Sequence, residues 1–359
     1  MKPIMAALVS LKDTTLNDFE KHYLATHNPA GVVLFKRNIT SKSQLKTLTQ
    51  SIRETVERED ILIAIDQEGG RVCRLGPPHW PTYASQYTLG AINIEKAKEA
   101  TQLHGFLIAH DLKEVGINMN FAPVLDRLYP DTTLALKSRC FSNDSKIITC
   151  LGDILSKTLS ENGICPCFKH LPGHGRAKTD PHLNLPILET SKEDLMQDIY
   201  PFKALADKIP AGMTAHIVLP EWDNRPATQS EKIISELIRH KIGFNGFLIS
   251  DALDMQALTG SLSDRATASL NAGCDCVCYA FAESAGLTEL ATVVPPLSDQ
   301  GLIRLTAITN IIKKTTPLTE ITTKRHRYET LLSNAPILKT DYDAVEILNQ
   351  MTSIPFKKE

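Results

Sequence analysis

Ile61-Leu62-Ile63-Ala64-Ile65-Asp66-Gln67-Glu68-Gly69-Gly70-Arg71 is the stretch on which the fold turns. Five apolar residues run without alternation and stop at an acid. A short run that is apolar at every position fits a strand covered on both faces, as in a parallel sheet. The same arrangement recurs along the chain. Gly31–Phe35, Ile117–Phe121, Ile164–Phe168, Gly212–His216, Gly246–Ser250 and Cys274–Tyr279 read as strands, and Met5–Val9 supplies another.

Longer amphipathic stretches separate these runs. Ser41-x-x-Gln44 opens Gln44–Glu57, Thr190-x-x-Glu193 opens Glu193–Ala206, and Thr228-x-x-Glu231 opens Glu231–Lys241. Each is a capping-box pattern that answers free N–H groups at a helix start. Glu95–Val115, Lys146–Asn162, Asp264–Ala272 and Leu302–Lys314 fit further helices. Strands alternating with helices mean βα units around a parallel sheet. No Gly-x-Gly-x-x-Gly follows the early strands, so a dinucleotide fold lacks its fingerprint. No linker or internal repeat divides the chain. The expected fold is α/β, a single-domain (β/α)8 barrel over residues 1–335. Residues 336–359 read as a C-terminal extension packed on its outside.

Composition narrows the function. The 359 residues are 42% hydrophobic and 22% charged, a globular balance. Lys+Arg 39 against Asp+Glu 41 leaves a net charge of −2, without the basic excess of a nucleic-acid binder. No apolar run reaches the roughly 18 residues of a membrane span. The start, MKPIMAALVSLK, reads as a buried strand rather than a signal peptide, so a cytoplasmic location is expected. Eight Cys with spacings such as Cys165-Pro166-Cys167 match neither a disulfide framework nor a C-x-x-C zinc site, and read as small buried hydrophobes.

A barrel places its chemistry at the C-terminal ends of the strands. Five consecutive runs end in charged or imidazole groups: Asp66 to Arg74, Asp126, Lys169 to His182, His216, then Asp251 and Asp254. Asp251 follows a buried strand, and such a carboxylate can attack a sugar anomeric centre. Capping the next helix is its bland alternative. Asp254 is placed on the helix side as a support. Asp180 and His182, two residues apart, are suited to an Asp–His hydrogen bond through Nδ1, leaving Nε2 for proton transfer. An ordinary His pKa of about 6.5 suits that work. Gly173 and Gly175 suggest a loop able to close over substrate. Asp66, Arg74, Arg139, Lys169 and His170 are substrate holders, because carboxylates accept from sugar hydroxyls while Arg and Lys donate. Mutual salt bridges are the alternative for the arginines, and a Schiff base for Lys169. A metal on His170-x-x-x-His174 is disfavoured, since Pro172 and Gly173 break the helix that spacing needs.

IDQEGGRVCRL (65–75), NFAPVLD (120–126), KHLPGHGRAKTDPH (169–182), MTAHIVLPEWDNRPAT (213–228) and GFNGFLISDALDM (243–255) resemble the glycoside hydrolase family 3 β-N-acetylglucosaminidases of bacterial peptidoglycan recycling. The resemblance runs from roughly residue 5 to 290. It implies a (β/α)8 barrel without a second domain, and retaining hydrolysis of a terminal β-linked N-acetylglucosamine without metal or cofactor. The substrate it implies is a GlcNAc-containing muropeptide such as GlcNAc-1,6-anhydro-MurNAc, handled by a monomer or weak dimer. It also implies Asp251 as nucleophile, His182 as acid/base, Asp180 as its partner, and the five holders around the sugar. Three departures stand out. Ser250-Asp251-Ala252-Leu253-Asp254-Met255 replaces the usual S-D-D-L-S-M, Pro181 replaces Ser, and Cys278-Tyr279-Ala280 lacks the common H-C-N-G ending. Phosphorolysis, another β-glycosidase activity on the same barrel, and a non-catalytic sugar-binding barrel are the competing readings.

Overall fold

A computed structural model describes residues 2–314 and 317–338. Eight parallel strands close into a barrel: β1 (Met5–Ser10), β2 (Pro29–Leu34), β3 (Leu62–Ile65), β4 (Met119–Asn120), β5 (Cys165–Leu171), β6 (Ala211–Thr214), β7 (Phe247–Ala252) and β8 (Cys276–Tyr279). Each strand pairs with its sequence neighbours, as in Leu34 with Ile65 and Met119 with Cys165. Ala7 opposite Val277 closes the ring. Nearly every strand residue is buried on both faces, which is why the runs read as continuous rather than alternating.

The main outer helices are α1 (Asp18–His27), α2 (Lys42–Val56), α3 (Ile94–Glu114), α4 (Ser145–Glu161), α5 (Lys192–Leu205), a π-helical Ile233–Ile242, α6 (Leu262–Ala272), α7 (Ser284–Val293), α8 (Asp299–Ile312) and α9 (Ile321–Leu332). No helix among the described residues is long and apolar enough to cross a membrane. The segment read as a C-terminal extension lies, from residue 339 on, outside the described residues.

Some local expectations are corrected. The α5 cap is Ser191, which accepts from the Asp194 N–H, not Thr190. Thr228 is buried instead of capping; its hydroxyl donates to the Ala215 carbonyl, and Ser230 accepts from the Ile233 N–H. At α2 Ser41 caps as expected, but the Gln44 side chain accepts from the Thr40 N–H rather than from Ser41. Strands β5 and β7 run further than their apolar cores. Lys169, His170 and Asp251 therefore sit within strands and not after them. Gly175 serves close packing: a Cβ there would stand 1.8 Å from the Arg127 carbonyl oxygen.

Candidate active site

One cavity opens at the C-terminal ends of the strands, and every residue singled out for chemistry lines it: Asp66, Arg74, Arg139, Lys169, His170, Asp180, His182 and Asp251. Lys169, His170 and Asp251 lie within barrel strands and Asp66 directly follows β3, while Arg74 follows a two-stranded hairpin and Arg139 a short helix. Asp180 and His182 arrive on the loop after β5.

One wall is a network of opposite charges. The Lys169 ammonium donates to Asp66 Oδ1 at 2.8 Å, and Arg74 donates to Asp66 Oδ2 at 3.1 Å. Lys169 also lies 2.7 Å from Glu68 Oε1. Arg139 grips Glu68 bidentately, with Nε and Nη2 each 2.8 Å from a carboxylate oxygen. Burial alone would raise both acids. Lys169 and Arg74 outweigh it at Asp66 and hold that carboxyl far below the ordinary range. Arg139 and Lys169 bring Glu68 down to about 2. Buried charges in such a net remain ionised because each meets its opposite.

His170 is held from behind. Its Nδ1–H donates to Asp126 Oδ2 at 2.7 Å, which leaves Nε2 to accept from Arg139 Nη2 at 3.3 Å. Asp126 is fully buried and also accepts from the His174 backbone N–H at 2.6 Å.

Asp251 lies at the end of β7. Its N–H donates to Thr214 Oγ1 at 3.3 Å, and its Oδ1 accepts from the Ala252 N–H at 2.8 Å. Burial pushes this carboxyl up, but the His216 and His170 imidazoles and the Ala252 amide outweigh it, so Asp251 stays an anion. His216 is itself fixed between Thr228 Oγ1 and the Ala252 carbonyl. Asp254 also reaches the cavity wall. It accepts from the Ala280 N–H at 2.9 Å and so ties the end of β7 to the end of β8. Burial pushes its carboxyl up to about 7 despite the Ala280 and Phe281 amides. The two aspartates thus differ in charge because only one of them faces imidazoles.

The Asp–His pair lines the same cavity as Asp251. His182 Nδ1–H donates to Asp180 Oδ1 at 2.7 Å, and the His182 backbone N–H donates to the same oxygen at 3.0 Å. The loop is tied to the segment after β7, where Ala257 N–H donates to the Pro181 carbonyl and Gln256 N–H to that of His182. A carboxylate held as an anion therefore shares a cavity with an imidazole whose Nδ1 is engaged by Asp180 and whose Nε2 meets no partner among the described residues.

The sequence reading gave eight of these groups a role; it placed Asp126 and His216 at strand ends and weighed His174 only as a metal ligand, and it gave no role to Glu68, Asp126 or His216 as the groups that hold the others. Each lies in a quoted post-strand stretch or at a strand end, so position was a usable signal. Nothing local distinguished them as partners.

A buried carboxylate and an Asp-backed imidazole in one barrel-mouth cavity suit the cleavage of a glycosidic bond, and residues 5–309 match the glycosyl hydrolase family 3 N terminal domain; the chain belongs to that family. It is 34% identical over 302 residues to a β-hexosaminidase of Bordetella avium (strain 197N), which covers 82% of this chain and 86% of the relative. A β-hexosaminidase of Hydrogenovibrio crunogenus is 35% identical over 312 residues, 84% and 87% of the two chains. Among solved structures, NagZ from Neisseria gonorrhoeae in complex with N-trifluoroacetyl-D-glucosamine superposes with a TM-score of 0.82 at 29% identity, over 92% of this chain and 98% of that one. The protein is a glycoside hydrolase of the β-N-acetylhexosaminidase type.

Proposed function

We propose that this chain is a retaining exo-β-N-acetylglucosaminidase that removes terminal β-linked N-acetylglucosamine from peptidoglycan fragments in the cytoplasm. The fragment envisaged is GlcNAc-1,6-anhydro-MurNAc, with or without peptide. One observation carries the reading: the ionised Asp251 and the Asp180-backed imidazole of His182 line the same cavity.

In the first step an Asp251 oxygen bonds to the anomeric carbon while the bond from that carbon to the leaving oxygen breaks. Protonated His182 gives its Nε2 proton to that oxygen. In the second step His182 takes a proton from water, whose oxygen bonds to the anomeric carbon and frees Asp251. Asp180 keeps the ring oriented and stabilises its charged form. Asp66, Arg74, Arg139, Lys169 and His170 bind the sugar. Asp66 accepts from its hydroxyls, and the three cations hold the carboxylate framework rigid, Arg139 also donating to His170 Nε2. Lys169 is salt-bridged on two sides and stays charged, which opposes its use as a Schiff-base amine.

The test uses an aryl β-N-acetylglucosaminide. Expected are free N-acetylglucosamine with retention, a covalent label on Asp251 from a 5-fluoro glycoside, and a loss of roughly 10²–10⁴-fold in His182→Ala. A label on Asp254 would overturn the assignment. Sugar 1-phosphate formed in phosphate buffer would make the enzyme a phosphorylase, and sugar binding without turnover would make the barrel a binding protein.

A further inference from the structure

His174 has no role in the steps above, yet it sits among the groups that do. It is 2% exposed and lines the cavity, and neither of its ring nitrogens has a hydrogen-bond partner among the described residues. Its backbone is fixed, because its N–H donates to Asp126 Oδ1. Its ring meets that of His170 edge-on, with centroids 5.7 Å apart. Leaving a buried imidazole without partners is destabilising, a cost that an apolar side chain of similar size would not incur.

A second orphan lies in the same cavity. Asp180 Oδ1 accepts both the ring and the backbone N–H of His182, while Asp180 Oδ2 is buried with no donor among the described residues. A neutral imidazole carries one N–H donor. The unanswered donor and the unanswered acceptor belong to the same loop, and the charge of one is felt by the other. The groups around His174 are His170, Asp126 and Asp251, and those around Asp180 are His182 and Arg71. Asp126 already spends Oδ2 on His170, and Asp251 spends Oδ1 on its neighbour's amide.

We propose that His174 is a positioning residue for the acid/base pair: its ring N–H donates to Asp180 Oδ2, directly or through one water, when the loop is engaged on substrate. With both carboxylate oxygens held, Asp180 cannot rotate, and the His182 imidazole keeps its aim and its basicity. This inference rests on the assignment of His182 as acid/base.

The experiment compares His174→Phe, which removes the donor, with His174→Asn, which keeps one. Values of kcat/KM are measured over a series of aryl β-N-acetylglucosaminides and across pH. The phenyl glycoside needs a proton on its leaving oxygen and the 2,4-dinitrophenyl glycoside does not. The expected loss in the Phe variant is roughly tenfold greater for the first than for the second. The basic limb of its pH profile moves down, because an unsteadied Asp180 supports the imidazolium less well. The Asn variant falls between it and the natural enzyme. The dependence on leaving group does not change with the fraction of enzyme folded, so it is readable even in a poorly stable variant. An equal loss across the series, with an unmoved pH limb, would overturn the proposal and leave His174 a packing residue. A raised KM with unchanged kcat would also overturn it, in favour of direct contact with substrate. If His182→Ala itself shows no dependence on leaving group, the acid/base assignment fails first. If only His174→Phe shows none, only this inference falls.

Discussion

Asp251 and Asp254 stand three positions apart on one turn, and their surroundings give them different charges. Asp251 faces His216 and His170 and stays ionised. Asp254 is 1% exposed, accepts two backbone amides, and has its carboxyl pushed up to about 7 by burial. In the unfolded chain that carboxyl titrates near 3.8. Between these values the folded protein holds a proton that the unfolded chain has lost, so stability falls as pH rises from about 4 to about 7. Asp254→Asn keeps the acceptor and removes the titration. It is expected to be more stable than the natural protein at pH 8, by up to about 4 kcal/mol, with the gap closing by pH 4. Urea unfolding at the two pH values checks this. An equal gap at both would mean that Asp254 is ionised in the fold. The substitution pattern of Ala252 and Asp254 was visible in the sequence. The charge that follows from it was not, because burial and amide donors come from β8.

The hairpin made by Gln67–Gly69 and Val72–Cys73 carries Glu68 into the cavity wall, beside Lys169 from β5 and Arg139 from the loop after a short helix. Glu68 holds both cations, and Asp66 holds Lys169 and Arg74. Glu68→Gln leaves Arg139 without its bidentate partner inside the protein. Breaking one side of a buried pair costs about 3–5 kcal/mol. The expected variant melts lower and binds N-acetylglucosamine more weakly, as read by calorimetry and by KM. A variant with natural stability would mean that the cluster is hydrated. Sequence reasoning found the cations of this cluster and assigned them to substrate. It overlooked the acid that holds two of them, since a charge pair between separate βα units leaves no trace in local spacing. The apolar pattern also ended β5 too early. Lys169 and His170 continue the strand because a barrel strand can present charge at its mouth while its backbone ladder persists.

The last described helix reaches back to the site. Tyr328 on α9 bonds to His104 Nδ1 at 2.9 Å, and its hydroxyl accepts from the Ala84 N–H at 3.0 Å. His104 on α3 in turn bonds the Glu68 carbonyl through Nε2 at 3.0 Å. Burial brings the His104 pKa down to about 4, so its ring is neutral. The Tyr328 hydroxyl then donates to Nδ1, and Nε2–H donates to Glu68. A helix outside the barrel thereby steadies the backbone of the residue that organises the cation cluster. Tyr328→Phe removes that relay and leaves a buried amide and a ring nitrogen unanswered. An expected cost of about 1–3 kcal/mol should appear in thermal unfolding, with a raised KM. An unchanged KM would confine Tyr328 to packing.

The period and length of the apolar runs were enough to define eight βα units, and the groups at the ends of five of them pointed to the mouth of a closed barrel. That much is legible because strand burial and helix amphipathicity are local consequences of side-chain chemistry. Which acids carry charge, which imidazoles are held in which direction, and which helix supports Glu68 depended on closure of the ring. Those properties arise from groups tens to hundreds of positions apart meeting at a few ångströms, and electrostatics at that range is set by distance in space rather than along the chain.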